Sequence, residues 1–184
     1  MIAVWIVVAL VVILLFAFGG TYNRLVSLRN RVDNAWSQID VQLKRRYDLI
    51  PNLVNTVKGY AAHEREIFEK IAEARSVAIA AKSVPQQAQA ENQITQALRQ
   101  LFAVVENYPD LKANQNFLAL QEELSGTEGR IAFARQFYND SVMTYNNSVQ
   151  QFPSRIIANM FGFKQREFFH TDEPAAATPP TVQF

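Results

Sequence analysis

The sequence predicts an all-α protein: an N-terminal transmembrane helix followed by an elongated antiparallel four-helix bundle with two long and two short helices. Three observations predict it. Residues 2–18 carry no charge. Apolar residues then recur in steps of three and four over two long stretches. Gly and Pro are sparse between these stretches, where Ala, Leu, Gln, Glu and Val, mostly good helix formers, abound.

The anchor comes first. Extending the uncharged run through Gly19, Gly20, Thr21 and Tyr22 gives about 21 residues, or about 30 Å of helix, enough to cross a hydrocarbon core. Trp5, Phe16, Phe18 and Tyr22 are the candidate anchor residues, and Trp5 and Tyr22 stand near its two ends, where amphipathic rings favour the interface. A cleaved signal peptide would need a basic start and small residues at its end; the run has no preceding Lys or Arg and ends Phe-Ala-Phe-Gly-Gly. The expectation is therefore an uncleaved single span, residues 1–22. Arg24, Arg29 and Arg31 follow it and nothing basic precedes it, so the positive-inside rule places the bulk of the chain in the cytoplasm, on a cell (inner) membrane.

Residues 23–151 form the expected helical bundle. Leu25, Leu28, Val32, Trp36, Ile39, Leu43, Tyr47, Ile50, Val54, Val57 and Ala61 lie on one helix face. The 3-4-4 steps that recur along it average about 3.67 residues per turn, so the stripe does not follow the heptad of a left-handed coiled coil. A second helix is expected over residues 63–81 and a third over 86–108, separated at Ser83-Val84-Pro85, with a turn at Asn107-Tyr108-Pro109-Asp110. The fourth follows Phe117, Leu120, Leu124, Ile131, Ala134, Tyr138, Val142, Tyr145 and Val149. Gly126 and Gly129 weaken its middle by about 1 kcal/mol each relative to Ala, and Ser125 with Glu128 offers a capping box for a restart. The stripe resumes in phase at Ile131, which favours one continuous helix.

The segment Tyr47, Asp48 and Pro51 is the candidate joint. Pro51 cannot donate to the Tyr47 carbonyl and its ring crowds it, a cost of about 3 kcal/mol inside a helix. The stripe nevertheless passes through without losing phase, so a continuing helix with a bend beyond about 20° is expected, with Asp48 not acting as a cap. The preceding Lys44, Arg45 and Arg46 are expected to pair with acidic residues such as Glu122 or Glu123.

Residues 152–170 change character. Phe152, Ile156, Ile157, Met160, Phe161, Phe163, Phe168 and Phe169 are candidates for an interface or a lipid contact. By pattern, Ile156, Ile157, Met160, Phe161 and Phe163 share one side of an amphipathic helix, against Arg155, Asn159, Lys164 and Arg166. A lid on the bundle, a subunit contact and a lipid contact all fit such a patch. Residues 171–184 form a Pro/Ala-rich tail, whose Val182 and Phe184 could dock by strand addition to a PDZ-type partner or remain free.

Chemistry is hard to find. The chain has no cysteine, two histidines and a net charge of +1, which excludes thiolate sites and gives no field that argues for nucleic acid. His63-Glu64-Arg65-Glu66-Ile67 starts like a zinc-protease helix but has Ile67 where a second histidine must stand. No phosphate loop or nucleophile elbow occurs. Asn139-Asp-Ser and Asn146-Asn-Ser match glycosylation acceptors but fall in a helical stretch. The expectations are no enzyme, no metal and no cofactor.

Two blocks resemble a known family. "YNRLVSLRNRVDNAWSQIDVQLKRRYDLIPNLVNTVKGYAAHE", residues 22–64, is similar to the signature first helix of the LemA family. "NQNFLALQEELSGTEGRIAFARQFYNDSVMTYNNSVQQFPSRIIANMFGFK", residues 114–164, resembles its second hallmark block. Gly129 stands where that family commonly has Asn. The resemblance implies a single-pass membrane protein with an antiparallel, mainly four-helix domain and no catalytic activity. The expected function is a membrane-anchored helical scaffold that self-associates and organises or remodels the bilayer. The alternative is an adaptor that presents a helical surface or its Val-x-Phe tail to another protein.

Overall fold

The computed structural model describes residues 1–170, which are helical with no strand among them. In chain order the helices are α1 (Ile2–Lys58), α2 (Arg65–Ala80), α3 (Val84–Val105), α4 (Pro109–Lys112), α5 (Gln115–Gln150) and α6 (Ser154–Met160). Of the four main helices, α1 and α5 are long, at 57 and 36 residues, and α2 and α3 short, at 16 and 22. The expected turn at residues 107–110 gives way to the one-turn α4.

The apolar run and the first amphipathic stripe are one helix, α1, which also continues through Pro51. It stops at Gly59, where the amides of Tyr60 and Ala61 both return to the Val57 carbonyl. Ser83 caps α3 through its hydroxyl, which accepts from the Gln86 amide at 3.4 Å, and Pro85 occupies the first turn, where a missing N–H costs nothing. Asn114 does the same for α5, its Oδ1 accepting from Phe117 N at 3.1 Å. Helix α5 runs unbroken through Gly126 and Gly129. The capping-box restart is not used: the Glu128 carboxylate instead meets Arg46.

The chain divides into two compact units, Met1–Leu43 with Gly129–Phe168, and Lys44–Glu128 with the described residues Phe169 and His170. In the first unit the core is Leu25, Val32, Ala35, Ile39 and Leu43 of α1 with Ile131, Ala134, Tyr138, Val142 and Tyr145 of α5. Trp36 stacks edge-on against Tyr138 at 5.5 Å, while Thr21, Arg24 and Leu25 share a recess with Ser148. The partners run in opposite order along the two helices, which are therefore antiparallel here.

In the second unit Ile50, Leu53 and Val57 of α1, Phe68 and Ile71 of α2, Ile94, Leu98 and Leu101 of α3 and Phe117 and Leu124 of α5 are buried. Eight of the eleven residues of the α1 stripe are buried, and Leu28, Trp36 and Val54 are half-buried.

One expectation needs correction. Residues 152–169 are not one amphipathic helix: α6 ends at Met160, and Gly162 takes the left-handed conformation at φ 71°. The Phe163 amide folds back onto the Ala158 carbonyl at 2.9 Å, the usual termination where glycine relieves the strain of a positive φ. The apolar set is therefore split. Ile157 and Phe163 turn into the core, whereas Ile156, Met160 and Phe161 remain at the surface, with Phe152. Phe168 is half-buried and Phe169 buried. Val182 and Phe184 lie outside the described residues.

Candidate functional site

Two places collect the residues that the sequence singles out, one in each unit. The first is the end of the apolar run. An 18-residue window within α1 has mean hydropathy 3.1 and buries none of its residues against the rest of the chain. Trp5 is 73 % exposed and Phe16 79 % exposed, so they require an apolar environment from elsewhere. Phe18 and Tyr22 are different: the Phe161 ring lies 6.0 Å from Phe18 and 4.8 Å from Tyr22, and Phe163 lies 5.8 Å from Tyr22. The Arg29 guanidinium caps the Phe163 ring at 5.3 Å. These tilted and edge-on pairs join the start of the first stripe to the segment after α6.

Three side chains of α5 hold that segment through its backbone. The Tyr145 hydroxyl donates to the Lys164 carbonyl and the Tyr138 hydroxyl to the Glu167 carbonyl, each at 2.9 Å. Asn146 makes a two-way clamp on Arg166: Nδ2 donates to the carbonyl and Oδ1 accepts from the amide, both at 2.9 Å. Burial pushes both tyrosine hydroxyls above their ordinary pKa, so they stay protonated donors. With both amide atoms engaged and the residue 6 % exposed, Asn146 is closed to glycan attachment. The stripe placed Tyr138 and Tyr145 in the core, but nothing in a 3.6-residue period indicates what their hydroxyls bind.

The second place surrounds Tyr47. Arg46 and Glu91 side chains are each only 2 % exposed, with Arg46 Nη1 2.8 Å from Glu91 Oε2. Arg46 Nη2 donates to Thr95 Oγ1 at 2.9 Å, and its Nε forms an ion pair with Glu128 Oε1 at 2.8 Å that lacks hydrogen-bond alignment. Glu91 Oε1 accepts from the Tyr47 hydroxyl and from Gln87 Nε2, the latter at 3.0 Å. Burial, and then the Glu91 charge, push the Tyr47 hydroxyl far above its ordinary pKa, so it remains a donor to that carboxylate. Arg45 pairs with Glu123 at 2.7 Å, as expected for the basic triplet, but both are over 40 % exposed and the pair is worth at most about 1 kcal/mol. Asp48 is exposed. A cleft of about 380 Å³ opens beside Arg46, with Leu98, Phe102 and Leu124 on its wall.

The sequence places Arg46 in the basic triplet but not in the core or opposite Glu91, although a signal for both existed. Arg46 lies three residues after Leu43 and four before Ile50, in the buried phase of the stripe. Glu91 sits in the corresponding phase of α3, three before Ile94. A cation and a carboxylate in two buried phases point to each other, because neither charge is stable there alone.

Pro51 has a specific consequence in this unit. The Tyr47 carbonyl, deprived of its helical donor, accepts instead from Arg75 Nε of α2 at 2.8 Å. Replacing Arg75 by Met should orphan that carbonyl and cost about 1–3 kcal/mol of stability. In a Pro51→Ala background, where the backbone amide at position 51 is restored, the same change should cost distinctly less. A double-mutant cycle by chemical denaturation measures the coupling; equal costs in both backgrounds would contradict this assignment.

Among the described residues, no group of three or more His, Asp or Glu side chains is placed to hold a metal ion.

Residues 35–184 match the family described as the LemA family. The chain belongs to the LemA family. It is similar to the magnetosome protein MamQ of Magnetospirillum gryphiswaldense, at 29 % identity over 96 % of this chain and 75 % of the relative. Magnetosome protein MamQ 2 of Paramagnetospirillum magneticum is 29 % identical over 86 % of the chain and 67 % of its own length. Protein LemA of Metamycoplasma hominis is 27 % identical over 86 % and 73 %. None of these is an enzyme name. Together with the exposed apolar part of α1, the family and these relatives are consistent with a membrane-associated helical protein.

Proposed function

We propose that this LemA family chain is a membrane-anchored, non-enzymatic scaffold that self-associates and thereby organises or remodels the bilayer. One observation carries the reading: α1 is a single helix whose first part exposes a fully apolar surface and whose remainder packs in both units. A span continuous with the folded part fixes that part to the membrane without a flexible linker. The chain crosses the inner membrane once, and Arg24, Arg29 and Arg31 hold the folded part on the cytoplasmic side. The four main helices form an antiparallel bundle, and Pro51 bends α1 by more than about 20°.

Self-association is supported by apolar side chains that the fold leaves uncovered. Phe133 is 73 % exposed and Val41 60 % exposed in the first unit, and Val77 and Ile79 are 46 % and 55 % exposed in the second. Purified full-length protein in mild detergent, measured by size-exclusion chromatography with light scattering, should give a protein mass several times the 20.9 kDa of one chain. A strictly monomeric particle would overturn the scaffold reading.

A further inference from the structure

We propose that α6 and its flanks form a second membrane contact, lying in the plane of an anionic lipid surface beside the exit of the span. The inference rests on α1 being a membrane anchor and adds a site to it. Phe161 packs on the rings of Phe18 and Tyr22, the last residues of the apolar run. The level at which α1 leaves the hydrocarbon is therefore also the level of Phe161. Its neighbours on α6 and just before it are uncovered by the chain: Phe152 is 83 %, Ile156 56 % and Met160 64 % exposed. A patch held at that depth meets the headgroup and acyl boundary, where bulky apolar side chains of a short helix insert.

Charge selects the same occupant. Within the first unit, residues 1–32 and 141–166 contain no Asp or Glu, but carry Arg24, Arg29, Arg31, Arg155, Lys164 and Arg166. All six are exposed, and among the described residues only Arg166 has an acidic partner at salt-bridge distance, Asp33 at 2.7 Å. A recess of about 140 Å³ places Arg24 and Phe152 in one lining, so a cation and an outward ring share a single pocket at this end. A protein partner's groove would satisfy the apolar set but leave this mainly cationic rim without a stated counterpart; an anionic bilayer supplies both.

The absence of cysteine from the chain makes a direct test simple. Single variants Met160→Cys, Val11→Cys and Asn116→Cys of the full-length protein would be spin-labelled and reconstituted into phosphatidylcholine–phosphatidylglycerol vesicles; Asn116 is exposed at the start of α5, in the second unit. Accessibility to oxygen, which concentrates in lipid, would be compared with accessibility to a water-soluble nickel chelate. The expected result is a several-fold higher oxygen-to-nickel ratio at residues 160 and 11 than at residue 116, with the value at 160 rising as the anionic fraction is raised. A nickel-accessible label at 160 would overturn the proposal, as would a label shielded from both reagents, which means protein contact. A value at 160 unaffected by anionic lipid would overturn the role assigned to charge. Val11→Cys separates the two claims: if residue 11 lies in lipid and residue 160 does not, the anchor stands and the second contact falls.

Discussion

Replacing Arg46 by Met should lower the stability of the folded protein by about 3–5 kcal/mol, the range for removing one partner of a buried ion pair. The cause is what remains. Glu91 would keep a 2 % exposed side chain with hydrogen bonds from Tyr47 and Gln87 but no opposing charge on the second oxygen. Thr95 and Glu128 would each lose a partner as well. Adding Glu91→Leu to Arg46→Met should recover much of the loss, since the fully buried Glu91 carboxylate is then no longer left unopposed, while Glu128 is 37 % exposed and reaches solvent. Denaturant titration of the single and double variants in detergent checks this. Equal destabilisation by the single and double changes would show that the network is not organised around this pair.

Replacing Asn146 by Ala should cost about 2–4 kcal/mol, because both the amide and the carbonyl of Arg166 would lose their partners at once. The effect should exceed that of Tyr145→Phe, which leaves only the Lys164 carbonyl without its donor. Asn146→Asp is the informative intermediate: the acceptor for the Arg166 amide survives, but the donor to its carbonyl is lost. Thermal unfolding monitored by circular dichroism should rank the three as Asn146→Ala most damaging and Tyr145→Phe least. The reverse order would mean that residues 164–167 are held by packing alone.

Much of this architecture was legible because burial has a period. The α1 stripe from Leu25 to Ala61 and the α5 stripe from Phe117 to Val149 mark the faces that the structure buries, and phase continuity at Ile131 correctly carried α5 across Gly126 and Gly129. The stripe also carried α1 through Pro51, where propensity alone would have ended it. Two features were not read correctly. The α6 segment was read as one amphipathic helix because Ile156 to Phe163 fits the period. A single glycine at residue 162, free to take φ 71°, ends the helix and sends Phe163 inward while Phe161 stays out. The buried polar groups were missed for another reason: periodicity ranks side chains by hydrophobicity, so Arg46 was read as a charge and not as a position, and Glu91 was passed over. Hydrogen bonds from Arg75 to the Tyr47 carbonyl, or from Asn146 to Arg166, span 28 and 20 residues of sequence and leave no local trace.

The central claim is that several copies act together in a bilayer, and it is tested most directly by counting them there. Full-length protein carrying one fluorophore on an introduced cysteine, reconstituted at high dilution into lipid vesicles, can be counted by stepwise photobleaching. Self-association predicts that most occupied vesicles show two or more steps, with the proportion persisting as the protein-to-lipid ratio falls. Single steps throughout, at the frequency expected for independent chains, would contradict it.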